Sequence, residues 1–249
     1  MSAQPPGIAC SRLVVCRGDF RLGPLDLELA AGQIACLVGP NGSGKTTLLK
    51  TIMGLIPAVS GEAAVHGVST RGRPPAVLRE LGYAADGDEG LIGELTATEL
   101  WDLHALVHTR RGGSLEQMRA RARTLAQTLD FVAPATRVSA LSHGMQKKTQ
   151  LVAALLHEPS VLVLDEPRNG LDPLAIERLE QLVMREASAA KTVVIATHDL
   201  RFAERIADQV VILSRGAVLE AGRPSDICTD GDDLVETFFR LVDADRVET

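Results

Sequence analysis

The strongest constraint on this chain is the run Gly39-Pro40-Asn41-Gly42-Ser43-Gly44-Lys45-Thr46-Thr47, which directly follows the apolar stretch Ile34–Val38. It fits G-x-x-x-x-G-K-[ST] in a strand–loop–helix setting. Glycines at this spacing let the backbone curl so that successive N–H groups point inward at phosphate oxygens. The helix expected over Lys45–Met53 adds the partial positive charge of its N-terminus. In such a cradle Lys45 reaches the β- and γ-phosphates of a nucleoside triphosphate, and the Thr46 hydroxyl completes the coordination of Mg²⁺. Taken alone, the loop says only that the ligand is a nucleoside triphosphate; kinases and GTPases carry it too.

What surrounds the loop sets the fold class. Short runs of aliphatic residues recur at Ile34–Val38, Val161–Leu164, Val193–Ala196 and Val210–Leu213. Runs this short and this uniformly apolar read as strands buried on both faces, as in a parallel sheet. Helical stretches lie between them at Lys45–Met53, Pro173–Ala187 and Leu200–Ala207, the second opened by a capping Asp172 and a first-turn Pro173. From about Leu95 to His157 no strand-like run occurs, and three helical patterns take its place: Thr96–Val107, Ser114–Leu129 and His143–His157. The pattern predicts an α/β protein with a mainly parallel sheet and an inserted helical subdomain. From Pro224 onward one or two short helices and a frayed tail are expected.

The sequence has 249 residues, a net charge of −6 and 45% hydrophobic residues, so it can bury a core without metal or disulfide staples. The negative balance argues against a broad basic surface for nucleic acid. Cys10, Cys16, Cys36 and Cys228 show no CxxC or metal-ligand spacing, which suits idle thiols in a reducing compartment. No apolar run reaches the roughly 18 residues of a membrane helix, and Met1 to Arg12 lacks the pattern of a signal peptide. Any membrane task would need a second chain.

A second acidic motif follows from the first. Val161–Leu164 runs into Asp165-Glu166-Pro167, and in parallel sheets ligand sites lie at the carboxyl ends of strands. Asp165 suits the outer shell of Mg²⁺. Glu166 is then placed to polarise an attacking water, the general-base role in phosphoryl transfer to water.

These motifs, with what lies around them, resemble the ATP-binding cassette family from about Leu13 to Gly222. Leu141-Ser142-His143-Gly144-Met145-Gln146 stands in the place of the family signature LSGGQ. Asn169-Gly170-Leu171-Asp172-Pro173 is similar to the D-loop, and Thr197-His198-Asp199 to the switch-histidine loop. The resemblance implies a phosphate-loop NTPase core with a small antiparallel β region. It implies one cassette over residues 1–249: a catalytic core at 1–86 and 159–222, a helical subdomain with the signature at 87–158, and a short C-terminal helical tail at 223–249. It also implies a head-to-tail dimer, with a homodimer expected here, in which each ATP lies between one subunit's phosphate loop and the other's signature. Ser142 and the Gly144 N–H would grip the γ-phosphate, His198 would contact it and position water, and Asp172 would link the two sites.

Four places depart from the family pattern. His143 replaces the first signature glycine and Met145 the glutamine; the methionine form resembles exporter-type bacterial cassettes. Asp86 stands where the Q-loop glutamine is usual, and could still take a water-mediated Mg²⁺ contact, with Asp88 or Glu89 as alternatives. The aromatic that usually stacks on adenine is missing near Cys16 and Arg17, leaving Phe20 or the Arg17 guanidinium. Arg168 follows Pro167 where a small or aromatic residue is usual.

The expectation is therefore an active ATPase using ATP and Mg²⁺. It would power transport, toward export, through a polytopic membrane permease and sit cytoplasmically on the inner face of the membrane. Leu91, Ile92, Leu95 and Trp101 are candidate permease contacts, with a place in the core an equally good reading for Trp101. No nucleic-acid partner is expected: chromosome and repair cassettes carry long insertions, and ribosomal ones two cassettes. An iron–sulfur assembly ATPase, or a nucleotide-gated module that hydrolyses little, are the competing readings.

Overall fold

A computed structural model describes residues 5–109, 114–228 and 231–247. The chain opens with β1 (Ile8–Arg17), β2 (Phe20–Leu29), β3 (Ile34–Val38), α1 (Lys45–Ile52), β4 (Ser60–Val65), β5 (Val68–Ser69), α2 (Pro75–Glu80) and β6 (Leu81–Ala84). Three helices follow, α3 (Ala97–Thr109), α4 (Leu115–Thr128) and α5 (His143–Leu155), and then β7 (Val161–Asp165) and α6 (Pro173–Ser188). It closes with β8 (Thr192–Thr197), α7 (Leu200–Ile206), β9 (Gln209–Ser214), β10 (Ala217–Gly222), α8 (Pro224–Ile227) and α9 (Leu234–Val247). Two compact units result, Met1–Leu78 with Glu186–Thr249, and Arg79–Arg185.

The first unit is built on β3. All its residues are buried, as are all of β8, so an uninterrupted aliphatic run is what both faces require. β8 and β9 flank β3 in parallel, with Val38 level with Thr197 on one side and Ile212 on the other. β10 extends this array antiparallel to β9. A separate antiparallel sheet has the order β2-β1-β4-β5. The fold class is the expected one: α/β, mainly parallel, with a small antiparallel region.

The antiparallel strands had no clear signal of their own. In β2, Leu22, Leu25, Leu27 and Leu29 are buried while Arg21, Asp26 and Glu28 are exposed, and Gly23-Pro24 shifts the alternation by one residue. In β1 the pairing register slips between Cys10 and Leu13 and again between Leu13 and Val15, with Arg12 at φ 45°. Period-2 reading fails at such bulges, because each extra residue moves the following side chains to the other face. From Pro224 onward the expected helices form as α8 and α9, and α9 buries Leu234, Phe238 and Val242. The Ser214 hydroxyl donates to the Asp245 carboxylate at 2.7 Å, tying this helix to the end of β9. Thr249 and its neighbour at 248 lie outside the described residues.

In the second unit β6 and β7 pair in parallel, Leu81 with Val161 through Ala84 with Leu164. Gly82 is required there: a Cβ would stand 2.1 Å from the Ala154 carbonyl oxygen of α5. Against α5 pack α3 and α4, and of the two readings of Trp101 the core one holds. Trp101, a candidate partner contact, is 5% exposed. Its Nε1 donates to the Thr149 carbonyl at 3.0 Å, and its ring meets Phe131 edge-on at 5.2 Å. A large ring whose N–H finds an internal acceptor is a core residue. Removing it leaves a cavity and takes one donor from the Thr149 carbonyl. Trp101→Ala should lower unfolding stability by about 3 to 5 kcal/mol, read from the urea midpoint; a variant within about 0.5 kcal/mol of the parent would contradict this placement.

Candidate active site

The phosphate loop bridges β3 and α1 in the first unit. Gly39 sits where the strand ends, against backbone: a Cβ there would lie 2.2 Å from the Leu213 carbonyl oxygen and 2.5 Å from Ser43 Oγ. Gly42 and Gly44 take φ of 79° and 110°, left-handed values that a side chain would strain. The Ser43 N–H donates to Pro40 O at 3.1 Å, and Ser43 O accepts from the Gly216 N–H at 3.0 Å. Lys45, only 7% exposed, folds back over the loop and donates to Gly39 O at 2.7 Å and Pro40 O at 3.1 Å. Ser43 Oγ is buried with no hydrogen-bond partner. A buried, unpaired hydroxyl inside a loop of inward N–H groups fits an anionic phosphate, which would accept from it. Thr46 is exposed on the first turn of α1.

His198 follows β8 directly. Because Val38 and Thr197 are level in parallel strands, the phosphate loop and His198 leave the same sheet edge from adjacent strands. The turn around His198 is fixed on both sides: Thr197 Oγ1 accepts from the Asp199 N–H at 3.1 Å, and Asp199 Oδ1 accepts from the Phe202 N–H at 2.9 Å, capping α7. Phe20 stands across the β1–β2 hairpin from Arg17, and a Cβ on Gly44 would be 3.0 Å from its ring. The ring therefore lies directly over the loop, while Cys16 and Arg17 are exposed at the hairpin tip.

The second unit assembles the acidic residues. Asp165, 2% exposed, ends β7, and Glu166 follows with φ 43°, a left-handed geometry uncommon for a side-chain-bearing residue. Ala84 is level with Leu164, so the loop carrying Asp86 leaves the same edge of the pair as Asp165 and Glu166. Asp86 Oδ1 accepts from the Asn169 side-chain amide at 3.1 Å and from the Gly87 N–H at 3.0 Å. The charges of Asp86, Asp165 and Glu166 all act on Lys147, whose ammonium burial pulls below the ordinary lysine range against their opposing pull. Sequence reasoning did not single out Lys147 or Gln150. The available signal was polar residues on α5 where every position from Lys147 to Leu155 is buried.

Signature residues open α5. Ser142 is the N-cap, its hydroxyl accepting from the Met145 N–H at 3.3 Å. Gly144 packs on the following loop, where a Cβ would approach Gly170 O to 2.6 Å. The first signature position is not so constrained: His143 is exposed, which is why a side chain fits there. Asp172 caps α6 by accepting from the Ala175 N–H at 2.9 Å; that bond holds its carboxyl below the usual range. Among the described residues no three His, Cys, Asp or Glu side chains form a metal cage, and no helix is long and apolar enough to cross a membrane.

The ABC transporter family profile matches residues 22–169. With this loop, carboxylate strand and signature helix, the chain belongs to the ABC transporter family. It is 32% identical over 243 residues to the glycine betaine/carnitine/choline transport ATP-binding protein OpuCA of Bacillus subtilis, covering 93% of this chain and 63% of that one. The Nod factor export ATP-binding protein I of Rhizobium etli is 32% identical over 91% of this chain and 69% of its own length. The phosphonates import protein PhnC of Trichormus variabilis is 34% identical over 81% and 85%. A solved ATP-binding subunit of an ABC transporter superposes with a TM-score of 0.85 at 29% identity, covering 94% of this chain and 98% of that one. The fold is the phosphate-loop NTPase cassette.

The closeness of Gly39 to Leu213 gives a direct check. Gly39→Ala should weaken ATP affinity by about tenfold or more, equal to about 1.4 kcal/mol, measured with a fluorescent ATP analogue; unchanged affinity would remove Gly39 from the cradle.

Proposed function

We propose that this protein is an ATP-hydrolysing motor subunit that powers transport through a separate polytopic membrane permease, in the export direction. The observation carrying the ATPase reading is the phosphate loop with its unpaired, buried Ser43 hydroxyl and backbone-held Lys45. The backbone N–H groups of the loop after Pro40, which has none itself, and the N-terminus of α1 cradle the phosphates, and Lys45 exchanges its carbonyl partners for phosphate oxygens. Phe20 is the favoured adenine platform over Arg17, because its ring lies against the loop.

By the resemblance, Thr46 and Asp165, with Asp86 through water, would hold Mg²⁺, which when bound would neutralise charge developing on the phosphates. Glu166, at the end of β7, takes the proton of the attacking water. His198, held by the Thr197 and Asp199 bonds, orients that water and the γ-phosphate. Ser142 and the Gly144 N–H serve the neighbouring copy's ATP in a head-to-tail homodimer, with Asp172 at the dimer junction.

Transport, in preference to iron–sulfur assembly, is favoured by an exposed apolar stripe. Leu103, Leu106 and Val107 lie three and four apart on α3, with Ile92 exposed just before it; this spacing suits a partner helix. The export direction rests on Met145 in the signature. Peripheral attachment to the inner membrane face follows from the permease.

Glu166→Gln should cut kcat for ATP hydrolysis by about 10²- to 10⁴-fold while ATP binding persists and the dimer is trapped on sizing; full hydrolysis in that variant removes Glu166 as the base. For the transport reading, the tagged chain should bring down a polytopic membrane protein from detergent-solubilised membranes. Recovery of soluble iron–sulfur proteins alone would favour the competing reading.

A further inference from the structure

Helix α5 begins at the signature serine, and its own polar side chains hold a loop more than half a hundred residues earlier in the chain. Lys147, 4% exposed, donates from Nζ to Ala85 O at 2.6 Å. Gln150, 5% exposed, donates through Nε2 to Gly87 O at 2.9 Å and to Glu89 O at 3.0 Å. The two residues stand three apart, so they share one face of the helix. They take alternate carbonyls of the loop, 85, 87 and 89, while Asn169 takes the side chain of Asp86 between them. The loop is thus gripped from α5 along its backbone and from the segment after β7 at its carboxylate.

Packing alone does not account for these choices. A buried ammonium is costly unless paired, and an aliphatic residue would fill the same place at less cost. Gln150 likewise leaves its Oε1 buried without a partner, a penalty that a residue chosen for packing would avoid. Polar groups kept in a core despite such costs are expected where placement matters to function.

We propose that Lys147 and Gln150 are positioning residues that clamp the loop 85–89 to the signature helix, so that Asp86 and Ser142 move as one body. The clamp deepens the ATPase reading and rests on it for its consequence. A motion of this loop is carried along α5 directly to Ser142 and Gly144, and a displacement of the signature returns to Asp86. Loss of either donor lets the loop drift while the phosphate cradle keeps the bonds of Ser43 and Lys45 to its own backbone, so turnover suffers and ATP capture does not.

Gln150→Met keeps the side-chain volume and removes the amide, both its Nε2 donor and its unpaired Oε1; Lys147→Met removes the ammonium in the same way. Hydrogen exchange on the full-length, nucleotide-free protein should show amides of residues 86–91 exchanging about tenfold faster in Gln150→Met. The same variant should lose about tenfold in kcat with KM for ATP within about twofold, since misplacement costs turnover without uniform binding. Unchanged exchange in both variants would overturn the clamp. Faster exchange with unaltered kcat would overturn its positioning role, as would a parallel loss of kcat, KM and thermal midpoint, the mark of general destabilisation. The exchange measurement needs no hydrolysis: a freed loop in a protein whose unsubstituted form hydrolyses no ATP would sink the ATPase reading and leave the clamp standing.

Discussion

The end of β3 at Gly39 is the contact on which the rest of the first unit depends. Strands β8 and β9 flank β3 in parallel, and the chain must leave the sheet through the space between their ends. The Leu213 carbonyl stands so near that a Cβ at Gly39 would fall at 2.2 Å from it. Only a glycine passes, and the loop then curls on Gly42 and Gly44, whose positive φ turns successive N–H groups inward. Lys45 folds back onto the carbonyls of Gly39 and Pro40. Parallel register with β8 does the remaining work, because it brings His198 out at the level where the loop begins.

The second unit follows a different physical logic, one of charge. Asp86, Asp165 and Glu166 leave the shared edge of β6 and β7, and their mutual repulsion would disfavour so close a grouping. Lys147 from α5 supplies the opposing charge from the buried side. That arrangement ties the acidic cluster to the helix that starts at Ser142. It also gives the altered Q-loop position a physical setting: Asp86 is oriented by Asn169, and the carbonyls around it are held by Lys147 and Gln150. An aspartate in place of a glutamine is accompanied here by a lysine and a glutamine on the neighbouring helix, and the clamp is the proposed consequence.

The sequence by itself determined the elements whose chemistry is local. The phosphate loop, the aliphatic strands ending in Asp165 and Thr197, and the caps Ser142, Asp172 and Asp199 are each specified by residues within a few positions of one another. A fully buried strand needs a continuous apolar run, and a cap or a phosphate cradle uses neighbouring backbone groups, so both can be read from a short window. Tertiary structure alone decided the rest. Bulged β1 and β2 pair over a register that no local pattern announces. Trp101 turns inward because the Thr149 carbonyl and Phe131 await it there, and Phe20 reaches the loop because a hairpin carries it back. Lys147 and Gln150 act on carbonyls more than sixty positions away. Their partners are backbone atoms, which every residue carries alike, so the pairing leaves no mark in the sequence until the chain folds.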